Sequence, residues 1–160
     1  MSELLLFTDG SVDVQTSVGF GAYLLVLDPG LSLDNHRRNV RVKRFQPTSS
    51  TKLELQTLLW ALSELPDLGK KIFVHTDSQN ILGLLRRRDR LEKNAFRSKS
   101  GRPLNNFELY QEFYKVIDQI HCEFIKVKGH KVSKDKNYID ELFTLVDRAS
   151  RTALRSQDSD

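Results

Sequence analysis

Residues 4–11 read "LLLFTDGS", and this stretch predicts the first strand of the fold and a charged residue at its end. Four apolar residues in a row, Leu4 to Phe7, predict a strand that is buried on both faces. The strand leads into Asp9, whose charge is costly to bury unless a partner or a ligand compensates it. Asp9 and Gly10 could form a simple turn, as most Asp-Gly pairs do, or Asp9 could belong to a site at the end of the strand.

The composition is typical of one globular domain. Of 160 residues, 39% are apolar and 29% are charged. We expect a single domain over residues 1–156 and a polar tail over residues 157–160. No apolar run is long enough to span a membrane, and the first strand lacks the basic flank of a signal peptide. Cys122 is the only cysteine, which excludes an internal disulfide. We therefore expect a cytoplasmic protein with no membrane partner and no obligate protein partner.

Positive charge is concentrated in one segment. Residues 86–102 hold eight Lys or Arg residues against Asp89 and Glu92, whereas the whole chain has a net charge of only +4. Such a segment is either a solvated face or a surface that binds a polyanion, to which Phe96 could add a stacking ring.

The order of the predicted elements indicates an α/β fold. Three strands, near residues 3–9, 19–27 and 39–46, follow one another with short connections and predict an antiparallel meander. Beyond them, helical patterns alternate with two further strands, near residues 70–77 and 122–130. This order predicts a five-stranded mixed sheet with helices on both faces, with residues 39–46 at an edge.

Two more carboxylates occupy unexpected positions. Asp77 follows the fourth strand as Asp9 follows the first, and Glu54 lies near the apolar stripe of the first long helix. Each has a structural explanation: Asp77 could cap a helix and Glu54 could interact with a helix dipole. If the two strands are parallel neighbours, however, all three meet at one sheet edge. Crowded carboxylates favour Mg²⁺ or Mn²⁺, and two such ions can promote phosphodiester cleavage.

Six motifs occur in the order found in type 1 ribonuclease H, and together they resemble that family from about residue 3 to 155: "FTDGS", "TKLELQTLLWAL", "HTDSQNI", "GRPLNNFELYQEF", "KVKGH" and "VDRAS". The resemblance implies a ribonuclease H-like catalytic domain that hydrolyses the RNA strand of RNA–DNA hybrids. It implies Mg²⁺ as cofactor, with Mn²⁺ possible and two ions present when substrate is bound. Asp9, Glu54 and Asp77 would be catalytic metal ligands.

The resemblance also assigns residues outside the carboxylate group. His130 corresponds to a loop histidine that assists proton transfer or product release in the family. The basic segment stands where family members often carry a substrate-binding protrusion, which is followed by an asparagine-containing segment. The residues expected to bind substrate are Arg86, Arg87, Arg88, Arg90, Asn105 and Asn106.

The fourth catalytic carboxylate has two candidates. The family spacing after the histidine selects Asp140, whereas the local motif "LVDRASR" selects Asp147. The two lie seven residues apart and so on nearly the same helix face, about 10 Å apart along the axis. Small Ala149 and Ser150 beside Asp147 would allow the helix to approach the sheet closely. We therefore prefer Asp147 as metal ligand, with Asp140 as the alternative.

Two other functions are compatible with the sequence. The chain could be a nucleic-acid-binding module that has kept the fold and lost the chemistry. It could also be a different nuclease on this sheet, such as a junction resolvase or a transposase core. The three carboxylates favour an enzyme, because a silent module has no need of charges at buried edges.

Overall fold

The computed structural model describes residues 3–128 and 136–157. A five-stranded sheet has the order β3-β2-β1-β4-β5. The antiparallel meander of β1, β2 and β3, and the parallel pairing of β1 with β4 and of β4 with β5, confirm the predicted mixed sheet. The elements in chain order are β1 (Leu4–Asp13), β2 (Val18–Val26), α1 (Leu33–Arg38), β3 (Arg41–Phe45), α2 (Ser50–Glu64), β4 (Ile72–Thr76), α3 (Gln79–Lys93), α4 (Phe107–Gln119), β5 (Cys122–Lys126) and α5 (Tyr138–Gln157).

The first strand does not stop at Asp9. Asp9 pairs with Ala22, and the ladder continues until Asp13 pairs with Val18. The Asp13 side chain then accepts a hydrogen bond from the Gln15 backbone N–H at 2.9 Å within the turn to β2. The reading of Asp9 and Gly10 as a turn is therefore wrong. Asp9 is held in a rigid position by the sheet.

Helices cover both faces of the sheet, as predicted. On one face, α2, α3 and α4 enclose a core that includes Leu55, Ile81 and Phe113. On the other face, α5 packs Leu142 and Val146 into a second core. These buried apolar groups supply the main driving force for folding. They fix both α2 and α5 against the central strand β1.

Glycines allow α2 to approach the sheet closely. A Cβ atom at Gly10 would lie only 2.8 Å from Leu53 Cδ2, and one at Gly21 would collide with the Thr57 hydroxyl. A larger side chain at either position would push α2 outward. The missing side chains therefore bring the start of α2, and Glu54 with it, next to Asp9.

Two helices differ from the expectation. The short helix α1, capped by Ser32, was not predicted, because six residues carry too little periodicity to be recognised. Helix α5 includes Gln157, one residue beyond the predicted end of the domain. None of the helices in the described residues is long and apolar enough to cross a membrane.

Candidate active site

Neighbouring parallel strands deliver Asp9 and Asp77 to the same edge of the sheet. Phe7 of β1 pairs with His75 of β4, and each aspartate lies two residues further along its chain. The cap of α3 is Ser78, whose hydroxyl accepts a hydrogen bond from the Ile81 N–H at 3.1 Å. Asp77 is therefore not the helix cap, and the structural explanation offered for it does not apply.

Glu54 reaches this edge from α2. Ser49 caps the helix by accepting a hydrogen bond from the Lys52 N–H. The first turn of α2 contains no acidic residue, so Glu54 is not the first-turn partner of the helix dipole. Its Oε2 instead accepts a hydrogen bond from Ser78 Oγ at 2.5 Å. One serine thus both caps α3 and orients the Glu54 carboxylate.

The two carboxylates of α5 have different surroundings. The Asp147 carboxylate lies close enough to Asp9 for its negative charge to act on it. Asp140 is buried at the start of the helix, where its Oδ2 accepts a hydrogen bond from the Asn137 N–H at 3.1 Å. The Asn137 side chain in turn accepts one from the Asp140 N–H at 2.9 Å, so the pair forms a reciprocal cap. Asp140 also lines the cleft described below.

Small residues bring α5 onto β1 beside Asp147, as predicted. Ser150 is fully buried and its Oγ lies 3.1 Å from Ser11 Oγ. The same hydroxyl donates to the Asp147 carbonyl oxygen at 3.0 Å, and Ala149 packs into the adjoining core. This contact fixes the position of Asp147 on α5 relative to Asp9 on β1.

The carboxylates perturb one another. Burial, together with the negative charges of Asp77 and Asp147, raises the pKa of Asp9 to about 8, although the Gly10 N–H acts in the opposite direction. Burial and the charge of Asp77 also raise the pKa of Glu54, against the lowering effect of the Ser78 hydrogen bond. Negative charge at this edge is therefore poorly compensated.

The chemistry of these donors fits a hard divalent cation. Within residues 3–128 and 136–157, no three acidic, histidine or cysteine side chains already surround one point as metal ligands would. The neighbouring groups are nevertheless all carboxylates from separate rigid elements, and oxygen donors of this kind suit Mg²⁺ or Mn²⁺. A cation would also relieve the repulsion that raises the pKa of Asp9.

The carboxylates open into a cleft of about 710 Å³ that also has basic walls. Arg151 Nε lies 3.0 Å from Asp147 Oδ1. The sequence analysis did not identify the basic residues that line this cleft. Three of them, Arg148, Arg151 and Arg155, have the i, i+3, i+7 spacing that places side chains on one helix face, and this spacing could have indicated a basic surface. The basic residues that line the cleft are Lys128, Lys136, Arg148, Arg151 and Arg155.

The four arginines of α3 have different environments. Arg88 donates two hydrogen bonds to Asp118, at 2.7 and 2.6 Å, and one to Glu92. Its guanidinium also lies over the Tyr114 ring, 4.9 Å from the centroid, so it joins α3 to α4. Arg86 and Arg87 line a groove of about 400 Å³, and Arg90 is exposed.

The remaining predicted substrate residues lie elsewhere. Asn105 and Asn106 line a shallow groove of about 590 Å³ together with Lys52. Asn106 has a φ of 65° and makes no side-chain cap bond at the start of α4. Phe96 packs against Tyr114 and the core, which removes it from the role of an open stacking ring. His130 lies outside the described residues.

The sheet order and its helices define an α/β protein with the ribonuclease H-like fold. The sequence profile of the RNase H family matches residues 1–147. The chain belongs to the RNase H family. Its relatives carry the names of hydrolytic nucleases: a "Ribonuclease H" of Clostridium botulinum is 28% identical and aligns over 89% of this chain and 93% of that protein. A "Ribonuclease H" of Moorella thermoacetica is 27% identical over 99% and 97%.

Solved structures share the fold at lower sequence identity. LC9-RNase H1, described as a type 1 RNase H with the type 2 active-site motif, superposes with a TM-score of 0.70 at 18% identity. The match covers 98% of this chain and 74% of that one. The foamy viral protease-reverse transcriptase, solved in complex with dsDNA, gives a TM-score of 0.65 at 12% identity, over 94% and 96%.

Proposed function

We propose that the protein is an endoribonuclease that hydrolyses the RNA strand of RNA–DNA hybrids with the aid of two divalent ions, Mg²⁺ or Mn²⁺. Asp9, Glu54, Asp77 and Asp147 would hold the ions. The observation that carries the proposal is the crowding around Asp9, whose pKa of about 8 results from burial and from two acidic neighbours. Membership of the RNase H family supports the choice of reaction.

Different contacts hold three of the carboxylates in position. Asp9 is fixed within the ladder between β1 and β2, and Ser78 orients Glu54. Arg151 balances Asp147. Bound Mg²⁺ would supply an activated water and would stabilise the leaving oxygen. Because Asp9 lies within a strand, Asp77 directly follows one, and Glu54 and Asp147 lie on helices, little reorganisation is needed when ions and substrate arrive.

Basic residues on two sides of the carboxylates would bind the phosphates of the hybrid. Lys128, Arg148 and Arg155 line the cleft on the side of α5, whereas Arg86 and Arg87 line the groove on α3. Asn105 and Asn106 would add contacts from the start of α4. His130 would assist proton transfer or product release. We place the reaction in the cytoplasm.

A rival function is a nucleic-acid-binding module without catalysis. Both functions predict that the protein binds nucleic acid, so binding alone does not separate them. The crowded carboxylates favour the enzyme, because acidic groups beside a binding cleft repel phosphates unless a cation is present.

The test is incubation of the protein with labelled RNA–DNA hybrid, double-stranded RNA and double-stranded DNA, each with Mg²⁺, with Mn²⁺ or with EDTA. We expect cleavage of the RNA strand of the hybrid alone, and only with a divalent ion. An Asp9→Asn preparation is the control for contaminating nucleases. Absence of cleavage with both ions would favour the binding module, and cleavage of double-stranded DNA would favour a different nuclease.

A further inference from the structure

A second basic surface lies at the outer edge of the sheet, on the side of β1 opposite to β4. We call it the edge patch, and it consists of residues from α1 and β3. All of its members are exposed, and no Asp or Glu occurs between residues 35 and 46. The members of the edge patch are Arg37, Arg38, Arg41, Lys43 and Arg44.

Much of this positive charge is not neutralised. Arg37 pairs with Asp34 at 2.6 Å, and Arg41 lies 4.0 Å from Glu64. Within the described part of the chain, no carboxylate lies within salt-bridge distance of Arg38, Lys43 or Arg44. Three positive charges therefore face solvent on one short edge.

The contacts of Lys43 and Arg44 leave their charges available. Lys43 Nζ lies 5.3 Å from the centroid of the Phe45 ring and 5.8 Å from that of Trp60. Arg44 donates to the neutral Gln46 side chain at 2.7 Å. Aromatic rings and amides orient a cation without cancelling its charge.

The sheet register relates this patch to the carboxylate cleft. Lys43 pairs with Gly21, which pairs with Gly10, and Arg44 pairs with Phe20, which pairs with Ser11. Gly10 and Ser11 line the cleft. The edge patch therefore lies two strand spacings, or about 10 Å, from the cleft. That distance equals roughly three base-pair steps of a duplex at about 3.4 Å each.

We propose that the edge patch is a second nucleic-acid contact, which binds the phosphodiester backbone of a duplex where it extends from the cleft past β3. The inference rests on the proposed function for the identity of the duplex as an RNA–DNA hybrid. A different explanation exists for the same residues, because Lys and Arg on an edge strand also prevent edge-to-edge pairing of sheets. That explanation predicts no contribution to hybrid binding.

The test compares two triple variants of equal charge. Arg38→Ala, Lys43→Ala and Arg44→Ala together remove the unneutralised charges of the patch. Lys70→Ala, Lys71→Ala and Lys115→Ala together remove three charges elsewhere, two of them just before β4 at the opposite end of the sheet. Binding of a hybrid of about 20 base pairs is measured in EDTA, which prevents cleavage, over a range of salt concentrations. Each lost phosphate contact should reduce the slope of log K against log salt by about 0.9.

We expect the slope to fall by roughly one to three units in the edge-patch variant and by less than half a unit in the control. The edge-patch variant should remain folded, with its thermal unfolding midpoint lowered by at most a few degrees because Lys43 and Arg44 lose their contacts with the rings and Gln46. Equal slopes for the wild type and the edge-patch variant would overturn the inference, as would failure of the wild type to bind the hybrid. If the slope falls as expected but the wild type does not cleave RNA, the edge patch is supported and the proposed catalytic function is the part that fails.

Discussion

At the scale of single residues, Asp140 and Asp147 show how position on one helix separates two chemically identical groups. Asp140 closes a reciprocal cap with Asn137, whereas the charge of Asp147 acts on Asp9. Both lie on nearly the same face of α5, so the sequence alone left the choice open. Asp140 lies at the start of α5, whereas Asp147 lies where α5 packs against β1, and these positions give the two side chains different neighbours.

This difference leads to opposite expectations for two amide variants. Asp147→Asn keeps the side-chain shape but removes a metal-binding charge, and we expect a loss of about 10²-fold or more in the rate of RNA cleavage with Mg²⁺. Asp140→Asn weakens the cap and should act on stability, by about 1 kcal/mol, with cleavage close to normal. Single-turnover rates and denaturant unfolding measure the two effects. An inactive Asp140→Asn protein with a nearly normal Asp147→Asn protein would make Asp140 the ligand.

Asp9 should make the stability of the metal-free protein depend on pH. Its pKa is about 8 in the folded protein and 3.8 when unperturbed, so between these values the folded state holds a proton that the unfolded state has released. The free energy of unfolding should therefore fall as pH rises towards 8, by at most about 1.4 kcal/mol per pH unit, and then level off.

The matched variant is Asp9→Asn, which lacks this proton. Denaturant unfolding in EDTA should show its stability advantage over the wild type growing between pH 5 and pH 8. Parallel stability curves for the two proteins would mean that Asp9 ionises normally.

At the scale of elements, α3 carries arginines with two kinds of role. Arg88 is bound to Asp118, Glu92 and the Tyr114 ring, so Arg88→Ala should lower the thermal unfolding midpoint by a few degrees because α3 and α4 lose this connection. Arg86→Ala and Arg90→Ala should leave that midpoint unchanged. Each should instead reduce the salt slope of hybrid binding by about 0.9 if it removes one phosphate contact.

Thermal unfolding and salt-dependent binding, measured on all three variants, separate these roles. A stable Arg88→Ala protein with a reduced salt slope would show that Arg88 contacts the phosphates despite its partners. The cleavage rate at saturating substrate should change little in Arg86→Ala and Arg90→Ala, since neither residue lies in the carboxylate cleft.

At the scale of the whole molecule, the sequence predicted the mixed sheet and the meeting of Asp9, Glu54 and Asp77 at one of its edges, whereas their role as metal ligands stays a prediction. Long apolar strands and periodic helices carry strong local signals, and the parallel placement of β1 and β4 follows from their order. Two features depended on packing that has no local signal. One is the extension of β1 beyond Asp9, which depends on pairing with β2. The other is the engagement of Arg88 by α4, a residue pair thirty positions apart.

The carboxylates around Asp9 are proposed to hold divalent ions, and the binding of such ions can be measured directly. Because the pKa of Asp9 is raised to about 8, this side chain is mostly protonated near pH 7. An ion that binds to Asp9 must therefore displace the proton. Titration calorimetry with Mn²⁺, in two buffers of different ionisation enthalpy, counts the protons released. We predict release of nearly one proton at pH 7 and almost none at pH 9 for the wild type, with binding at least tenfold weaker and no such release for Asp9→Asn. Equal Mn²⁺ affinity and equal proton release for the two proteins would contradict ion binding at Asp9.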